Sequence, residues 1–397
     1  MRGDDWNVTL YICFVIGDTY ENMIDNFDLK QLIHPLQTWF RNNARVLPWR
    51  ENPIAYYVWI SEIMLQQTRV EAVKPYFDRF IRELPDVKAL AECPEDKLLK
   101  LWEGLGYYNR VRNLKIAANQ ILEEQDGIIP EEYNELLKLK GIGNYTAGAI
   151  ASIAYGKPVP AVDGNVLRVI SRVAADDSDI MKQSVRKHME EKLYELMNEE
   201  GTEVIPNIFN QALMELGATV CLPNGVPKCD SCPWHTFCEA RKQDKITEIP
   251  VKTKAKARRI EEKTVFIIKD GEQLALHKRE NKGLLAGLYE LPNIDGYLTE
   301  KEAIEYIKQE GYIPIRIQQV CDAKHIFSHV EWHMKGYVVF LESQDYEKMN
   351  SEKNRRKNWI FVDVEETKVN YAIPSAFVKY TEYLNMTIGK DAIGKKM

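Results

Sequence analysis

Two carboxylic acids in the N-terminal half of the chain lie in settings that suit the cleavage of a glycosidic bond. Glu62 falls within the apolar run VWISEIMLQQTRV, and a carboxyl group among apolar side chains has a raised pKa and can donate a proton near neutral pH. Asp163 precedes an apolar helical stretch, where the helix dipole and free N–H groups keep a carboxylate ionised. One poised acid and one ionised carboxylate form the pair that glycosidic cleavage uses. Taken singly, a partly exposed helix glutamate and a capping aspartate explain the two residues as well.

Four of the seven cysteines fall close together, at Cys221, Cys229, Cys232 and Cys238. Four thiolates at this spacing are typical of a closed metal or cluster site. The spacing alone does not separate Zn²⁺ from an iron–sulfur cluster, and a disulfide pair is a further alternative. In a long chain without the cysteine density of a disulfide scaffold, such a group indicates a reducing compartment. We therefore expect a cytoplasmic protein that is not secreted.

A third motif, at residues 137–150, begins LKLKGIGNYTA and predicts a helix-hairpin-helix turn. Gly141 and Gly143 would let a phosphate approach the backbone closely, and the free N–H groups of the next helix would bind it. Such a contact fixes a protein on a DNA backbone without determining sequence preference. The alternative is an ordinary turn between two helices of a bundle.

The composition limits the class of protein further. The 397 residues include 53 Lys and Arg against 59 Asp and Glu, a net charge of −6, and 45% are hydrophobic. This apolar content supports folded cores and excludes disorder as the dominant state. The longest run without Asp, Glu, Lys or Arg, 141–156, is too short and glycine-rich to span a membrane. The acidic balance argues against a nonspecific coat on nucleic acid but allows a local basic face.

The elements that must position these residues change character along the chain. Apolar residues at helical spacing predict a helical catalytic domain over 27–245, which includes the cysteine group at 221–238. A basic linker, 246–262, follows it. Residues 263–385 are predicted to form an α+β domain with one helix, Glu300–Glu310. Its predicted strands are Lys263–Lys269, Gln273–Leu276, Val320–Cys321, Lys335–Leu341 and Trp359–Val362. We expect no defined structure in the N-terminal extension, 1–26, or in the tail, 386–397.

With these motifs in place, the sequence resembles the endonuclease III superfamily of DNA glycosylases. Four strings are similar to its MutY-type adenine DNA glycosylase branch: LQQTRV (Leu65–Val70), GLGYYNRVRNL (Gly104–Leu114), VDGNV (Val162–Val166) and HIFSH (His325–His329). Tyr145 stands where bifunctional members carry a catalytic lysine. The resemblance covers about residues 27–383, almost the whole chain.

This resemblance implies a fold, an activity and a cofactor. The fold would be a mainly α helix-hairpin-helix glycosylase region with a four-cysteine loop, followed by an α+β MutT/Nudix-like domain. The activity would be monofunctional excision of adenine from double-stranded DNA in which it is mispaired with 8-oxoguanine or guanine. The chain would act as a monomer without a membrane partner. One 4Fe–4S cluster would be bound, with zinc as the less favoured alternative.

The resemblance also implies roles for individual residues. Glu62 would protonate adenine N7 and later activate water, and Asp163 would stabilise the oxocarbenium ion. The residues that would support this pair are Tyr145 and Asn165; those that would frame the adenine are Trp49, Arg50 and Gln211. The duplex wedges would be Gln67 and Tyr107, and the contacts to 8-oxoguanine would be Phe327, Ser328 and His329. The DNA backbone would meet Gly141, Gly143, Arg69, Arg110, Arg112, Lys115 and the linker cations Lys252, Lys254, Lys256, Arg258 and Arg259.

Two features depart from the family pattern. The seven residues between Cys221 and Cys229 are one more than the family's six, which a loop containing Pro223, Gly225 and Pro227 could accommodate. The region of the Nudix carboxylate helix is AIEYIKQEG (Ala303–Gly311), with too few acidic residues for Mg²⁺. We therefore predict lesion recognition without pyrophosphohydrolase activity. The alternatives are a bifunctional endonuclease III-like glycosylase/lyase, which Tyr145 disfavours, and a noncatalytic DNA-damage-binding module, which the two carboxylates disfavour.

Overall fold

The computed structural model describes residues 23–253, 257–342 and 359–384. The tail and most of the N-terminal extension, together with Lys254 and Lys256 of the predicted linker, lie outside the described residues. The extension was predicted to lack structure as far as residue 26. Its last four residues, Met23–Asn26, instead form a 3₁₀ turn in which Ile24 is buried, because an apolar side chain there packs onto the neighbouring helices.

Helices dominate the first part of the chain, as the apolar spacing predicts. Thirteen α-helices lie within residues 23–253. They are Ile33–Asn43 (α1), Pro48–Glu51 (α2), Ala55–Leu65 (α3), Val70–Glu83 (α4), Val87–Glu92 (α5), Glu95–Leu101 (α6), Asn109–Glu124 (α7), Tyr133–Leu136 (α8), Asn144–Ala149 (α9), Gly164–Ala174 (α10), Gln183–Asn198 (α11), Pro206–Thr219 (α12) and Glu239–Lys242 (α13). Short 3₁₀ turns, Lys30–Leu32 and Cys229–Ser231, and a π-helical turn, Ile150–Ala154, complete the helical part.

Two apolar cores hold these helices together. One packs α3, α4 and α7 around side chains such as Trp59, Phe80 and Trp102. The other packs α1, α10 and α12 around side chains such as Leu36 and Leu213. Helix α3 belongs to the first core and α10 to the second, and residues of both helices line one cleft between the cores.

The α+β part contains a mixed sheet. Within the described residues its strands are Arg259–Asp270 (β1), Gln273–Lys278 (β2), Tyr289–Glu290 (β3), Asn293–Asp295 (β4), Pro314–Ile326 (β5), Val330–Leu341 (β6) and Trp359–Asp363 (β7). The order is β3-β2-β1-β6-β5, with β4 paired to β1 and β7 to β2. Strands β1 and β6 run parallel and the other pairs antiparallel. Helices α14 (Glu300–Gln309) and α15 (Val364–Thr367) and a 3₁₀ turn (Ser375–Tyr383) accompany the sheet.

The predicted fold class, a mainly α region followed by an α+β domain, is confirmed, and the sheet differs from its sequence prediction in detail. All five predicted strands form, but β3 and β4 were missed because two or three residues carry no detectable alternation. Strand β1 starts at Arg259, four residues inside the predicted linker, because it pairs there with Val330 of β6. Ile249, also within the predicted linker, is buried against Ala175 and Ala240. Within the described ranges, no helix is both long and apolar enough to cross a bilayer.

Candidate active site and nucleic-acid interface

Glu62 lies on α3 and is buried, with 5% of its surface exposed. Burial is the largest influence on this carboxyl group and raises its pKa to about 7, with Asp163 adding to the rise. A hydrogen bond from the Tyr145 hydroxyl to Glu62 Oε2 and the charge of Arg50 oppose the shift. A group with this pKa holds a proton near neutral pH and can also release it.

Tyr145 reaches Glu62 from α9, the helix that follows the glycine turn. Its hydroxyl also lies 3.5 Å from Met214 Sδ of α12. Burial and the nearby carboxyl groups of Glu62 and Asp163 raise the tyrosine pKa well above its usual value. The phenol therefore stays protonated and acts as a hydrogen-bond donor to the glutamate.

Asp163 is the N-cap of α10 and accepts three hydrogen bonds. Its Oδ1 accepts from the backbone N–H groups of Asn165 and Val166, each at 2.8 Å, and its Oδ2 accepts from Asn165 Nδ2 at 2.6 Å. Burial nevertheless raises the pKa of this carboxyl group above its usual value, and the three donors only oppose that shift. The N-cap setting expected from the sequence is present, but burial has a larger effect on the pKa of Asp163 than the N-cap hydrogen bonds have.

A buried arginine connects Asn165 to the loop of the cysteines. Arg168 Nη2 donates to Asn165 Oδ1 at 3.0 Å and to the Gly217 carbonyl at 2.7 Å, and its Nε donates to the Cys221 carbonyl at 2.9 Å. This chain of contacts fixes the amide that holds Asp163. Sequence reasoning missed Arg168, although an arginine inside the apolar run VLRVISRVA is an available signal.

The two carboxyl groups share one cleft of about 590 Å³. This is a typical volume for a site that encloses a small ligand such as a base. The predicted site residues that line the cleft are Glu62, Asp163, Tyr145, Asn165, Trp49, Arg50, Gln67 and Gln211. The structure thus brings together the residues assigned to the adenine pocket, which the chain separates by up to 162 positions.

The cleft also contains an acidic residue that sequence reasoning missed. Glu215 of α12 is buried and accepts from Arg45 Nε at 2.6 Å, from Arg45 Nη2 at 2.9 Å and from Arg50 Nη2 at 3.0 Å. Burial alone would raise the pKa of Glu215, but the two arginines outweigh it and lower the pKa. Glu215 therefore fixes the Arg50 guanidinium at the wall of the cleft.

The residues assigned to 8-oxoguanine lie in the turn between β5 and β6 rather than in this cleft. Phe327 is half-buried and packs edge-on against Trp332, with ring centroids 4.9 Å apart, while Ser328 and His329 are exposed. Ser328 Oγ lies 3.1 Å from the Tyr107 hydroxyl of the helical domain. The contact places a predicted wedge residue beside a predicted lesion-reading residue.

Both predicted wedge residues have an unusual backbone. Gln67 has a φ of 60° and Tyr107 a φ of 48°, values in the left-handed region that side-chain-bearing residues rarely adopt. Gln67 follows α3 and lines the cleft. Tyr107 lies shortly before α7 and contacts Ser328 of the Phe327–His329 turn. Backbone strain of this kind concentrates at functional sites.

Among the predicted DNA-backbone residues, the turn glycines and Arg69 are placed as expected on the surface, whereas two arginines are not. Gly141 has a φ of 79°, which favours glycine, and a Cβ on Gly143 would meet no atom within 4 Å. Arg69 is exposed at the start of α4.

Arg110 and Arg112 are corrections. Arg110 points inward and donates to the backbone carbonyls of Ile63, Met64 and Gln66 at the C-terminal end of α3. It also donates to those of Leu105 and Gly106. Arg112 donates to the Ala286 carbonyl at 2.6 Å and to Glu95. The hydrogen bonds of both guanidinium groups are made within the protein, which disfavours the two arginines as phosphate contacts. Lys115 likewise donates to the Cys93 carbonyl.

The four clustered cysteines are free thiols that line a single small cavity of about 30 Å³ beside Arg172 and Trp234. Arg172 Nη1 lies 3.4 Å from Cys221 Sγ, and Cys238 Sγ donates to the Arg172 carbonyl at 3.4 Å. In the described part of the chain, no three His, Cys, Asp or Glu side chains are close enough to hold a single metal ion. The four thiols are therefore unpaired and line one cavity.

Comparison with known proteins places this site in a family. Residues 60–195 match the HhH-GPD superfamily base excision DNA repair proteins, and residues 264–383 match the NUDIX domain. The adenine DNA glycosylase of Buchnera aphidicola from Schizaphis graminum is 35% identical over 83% of this chain and 92% of its own. That of Mus musculus is 32% identical over 81% and 73%, and that of Arabidopsis thaliana 32% identical over 83% and 60%.

The chain thus spans 60% of the plant relative's length and most of the bacterial relative's. The solved structure of a thermostable thymine-DNA glycosylase is 27% identical to this chain. The alignment covers 54% of this chain and 96% of that protein, with a TM-score of 0.46. The two matched domains occur in the order expected from the sequence, with the paired carboxyl groups between helices of the first. The chain belongs to the adenine DNA glycosylase family of base excision DNA repair enzymes.

Proposed function

We propose that this chain hydrolyses the N-glycosidic bond of adenine mispaired with 8-oxoguanine or guanine in double-stranded DNA. The observation that carries the proposal is the pair of carboxyl groups in one base-sized cleft, with the pKa of Glu62 raised to about 7. An adenine must leave the base stack to reach such a cleft. The strained residues Gln67 and Tyr107 are suitably placed to support the distorted duplex.

The chemistry follows from the protonation states. Protonated Glu62 gives its proton to adenine N7, so the electron pair of the C1′–N9 bond leaves with a neutral base. The deoxyribose becomes an oxocarbenium ion, which the carboxylate of Asp163 stabilises. Glu62, now ionised, takes a proton from water as the water oxygen bonds to C1′. The products are free adenine and an abasic site, and Glu62 is again protonated.

The residue at position 145 supports a monofunctional enzyme. A lyase of this superfamily would need an amine that attacks C1′, and Tyr145 supplies a phenol that is held on Glu62. Its pKa is raised well above the usual value, so it remains protonated and a poor nucleophile. We therefore assign Tyr145, together with Asn165 at Asp163, to orientation of the two carboxyl groups.

The α+β domain is proposed to recognise the opposite strand. The Phe327–His329 turn presents an exposed hydroxyl and imidazole beside Tyr107, which suits hydrogen bonding to 8-oxoguanine. Helix α14, EKEAIEYIKQ, carries a capping box at its start and lacks the carboxylate array of a Nudix hydrolase. We infer recognition without pyrophosphate hydrolysis. The monomeric state and the cytoplasmic location remain predictions.

We further propose that Cys221, Cys229, Cys232 and Cys238 hold one 4Fe–4S cluster. Four free thiols that line one cavity suit a cluster with four thiolate ligands, and zinc is the less favoured alternative. When bound, such a group supplies four metal–thiolate bonds that crosslink the loop. Arg172 and Arg168 hold the same loop against α10, and Arg168 extends that support to Asn165.

The test is adenine release in a single turnover on duplexes carrying adenine opposite 8-oxoguanine, guanine or thymine. Glu62→Gln and Asp163→Asn should each reduce release by about 10²–10⁴-fold, since each removes a group that acts on the reacting atoms. Glu123→Gln, on the exposed face of α7, is the matched control and should retain full activity. Substantial activity in either site variant, or equal release opposite thymine, would overturn the assignment.

A further inference from the structure

A buried ion pair joins the two domains at a distance from the cleft. Lys100, on α6, and Glu103, two residues after its end, form a pair with Nζ and Oε2 2.7 Å apart. Only 16% and 7% of their side-chain surfaces are exposed. Most of the ion pairs among the described residues are far more exposed. Folding has therefore removed these two charged groups from water, which costs solvation free energy.

The remaining hydrogen bonds of the pair cross to the α+β domain. Lys100 Nζ donates to the carbonyls of Thr367 at 2.9 Å and Tyr371 at 3.0 Å. Glu103 Oε1 accepts from the backbone N–H of Ile373 at 2.8 Å. The ammonium group thus has three acceptors and the carboxylate has a partner on each oxygen, so the pair is saturated only when the segment 367–373 is docked.

The segment 367–373 packs against both domains. Ala372 packs into the helical core that contains Trp102, while Ile373 packs into the core of the α+β domain. The Ala372 carbonyl also accepts from the Tyr289 backbone N–H at 3.0 Å. A buried ion pair adds little net stability compared with apolar residues of the same size. Directional bonds to three backbone groups instead fix one arrangement of the two domains.

Both ends of this contact lead to lesion-reading residues. On the helical side, Glu103 directly precedes the turn to Tyr107, whose hydroxyl meets Ser328. On the other side, Ile373 shares a core with Trp332, and the Trp332 ring packs against Phe327. The contact therefore sets where the Phe327–His329 turn lies relative to the wedge residue.

We propose that Lys100 and Glu103 are positioning residues for substrate discrimination, which hold the Phe327–His329 turn in register with the catalytic domain. This inference rests on the proposed function, because discrimination is measured between mispairs of adenine. Neither residue touches the cleft that contains Glu62 and Asp163. Their loss should therefore affect recognition of the opposite base more than cleavage itself.

The experiment compares Lys100→Met and Glu103→Gln in the full chain. We expect the ratio of single-turnover rates for adenine opposite 8-oxoguanine to adenine opposite guanine to fall by about tenfold, a typical size for coupling between sites. The rate opposite guanine should stay within about twofold of the parent. Lys97→Met is the matched control, because Lys97 pairs with Glu83 on the exposed side of the same helix and should preserve the ratio. Lys100→Arg, which keeps the positive charge, should retain part of the parent's ratio of rates.

A second measurement does not depend on catalysis. Amide hydrogen exchange should become faster at Ile373 and its neighbours in Lys100→Met but not in Lys97→Met. If the parent releases no adenine from either duplex, the proposed function is wrong. The difference in hydrogen exchange between Lys100→Met and Lys97→Met still tests whether Lys100 holds the segment 367–373. Equal loss of both rates, or an unchanged ratio with faster exchange, would show a purely structural role and overturn the proposal.

Discussion

At the scale of the residue, the candidate site depends on how burial competes with hydrogen bonding. Glu62 and Asp163 are both buried carboxyl groups with raised pKa values, but they have different partners. Glu62 has one donor, the Tyr145 hydroxyl, whereas Asp163 has three, two of them backbone N–H groups. Because donors favour the charged form, Asp163 is better suited to remain ionised beside Glu62 while Glu62 carries the proton. Two chemically identical groups therefore take different roles.

This difference predicts the pH dependence. In the proposed mechanism protonated Glu62 is the active form, so the second-order rate of adenine release should fall as the pH rises through about 7. Tyr145→Phe removes a hydrogen bond that lowers the pKa of Glu62, so this pKa should rise and the alkaline fall in rate should move to higher pH. The measurement is the pH profile of release under single-turnover conditions with subsaturating DNA. An unchanged or lower midpoint in Tyr145→Phe would contradict the proposed proton donor.

At the scale of the element, helix ends supply most of the site. Asp163 caps α10, Tyr145 follows the glycine turn at the start of α9, and Gln67 ends the turn after α3. A helix end exposes backbone N–H or carbonyl groups that other side chains must satisfy. Arg110 satisfies carbonyls at the C-terminal end of α3, which explains why a residue predicted to bind phosphate is directed into the protein.

The cysteine loop is the element that we propose binds a 4Fe–4S cluster. Anaerobically purified chain should contain about four iron atoms and four sulfide ions for each molecule, as expected for one 4Fe–4S cluster. Cys238→Ala should lose iron and lower the melting temperature, because the loop would lose the crosslinks of the cluster and keep its contacts within the protein, such as those to Arg168 and Arg172. Cys93→Ala, a buried cysteine outside the loop, is the control and should keep its iron. Stoichiometric zinc with no iron would refute the cluster.

At the scale of the whole molecule, a net charge of −6 coexists with a basic region near the cleft. Arg186 lines the cleft, donates from Nε to the Ile180 carbonyl at 2.9 Å, and pairs with no carboxylate in the described ranges. Lys252 lies near it, and burial together with Arg168, Arg172 and Arg186 lowers the pKa of this lysine. Like charges kept together without an acidic partner favour an anion such as a DNA phosphate. Lys252 was among the predicted backbone contacts, and Arg186 is a new candidate that takes the place of Arg110 and Arg112.

The salt dependence of duplex binding tests this replacement. Arg186→Ala should reduce the slope of log affinity against log salt concentration by about one, as expected when one phosphate contact is lost. Arg112→Ala is the comparison and should leave the slope unchanged, since Arg112 already bonds to Ala286 and Glu95. If Arg112→Ala instead reduced the slope and Arg186→Ala did not, the sequence-based assignment would stand and the revised one would be wrong.

The sequence by itself determined the fold class, the glycine turn and the two carboxyl groups. Each rests on a local pattern: helical apolar spacing, a Gly-x-Gly turn, or an acid among apolar neighbours. It also predicted five of the seven strands within the described residues, and missed β3 and β4, where two or three residues are too few for an alternating pattern. These features are visible because the residues that create them are adjacent in the chain.

Only the tertiary structure decided which polar groups satisfy one another. Glu215 meets Arg45 and Arg50 across about 170 positions, and Lys100 meets Tyr371 across 271. Nothing in the local sequence distinguishes Arg112, which bonds within the protein, from Arg69, which is exposed. The physical reason is that a buried charge must find a partner wherever the fold supplies one, and partners are set by the packing of distant elements rather than by spacing along the chain.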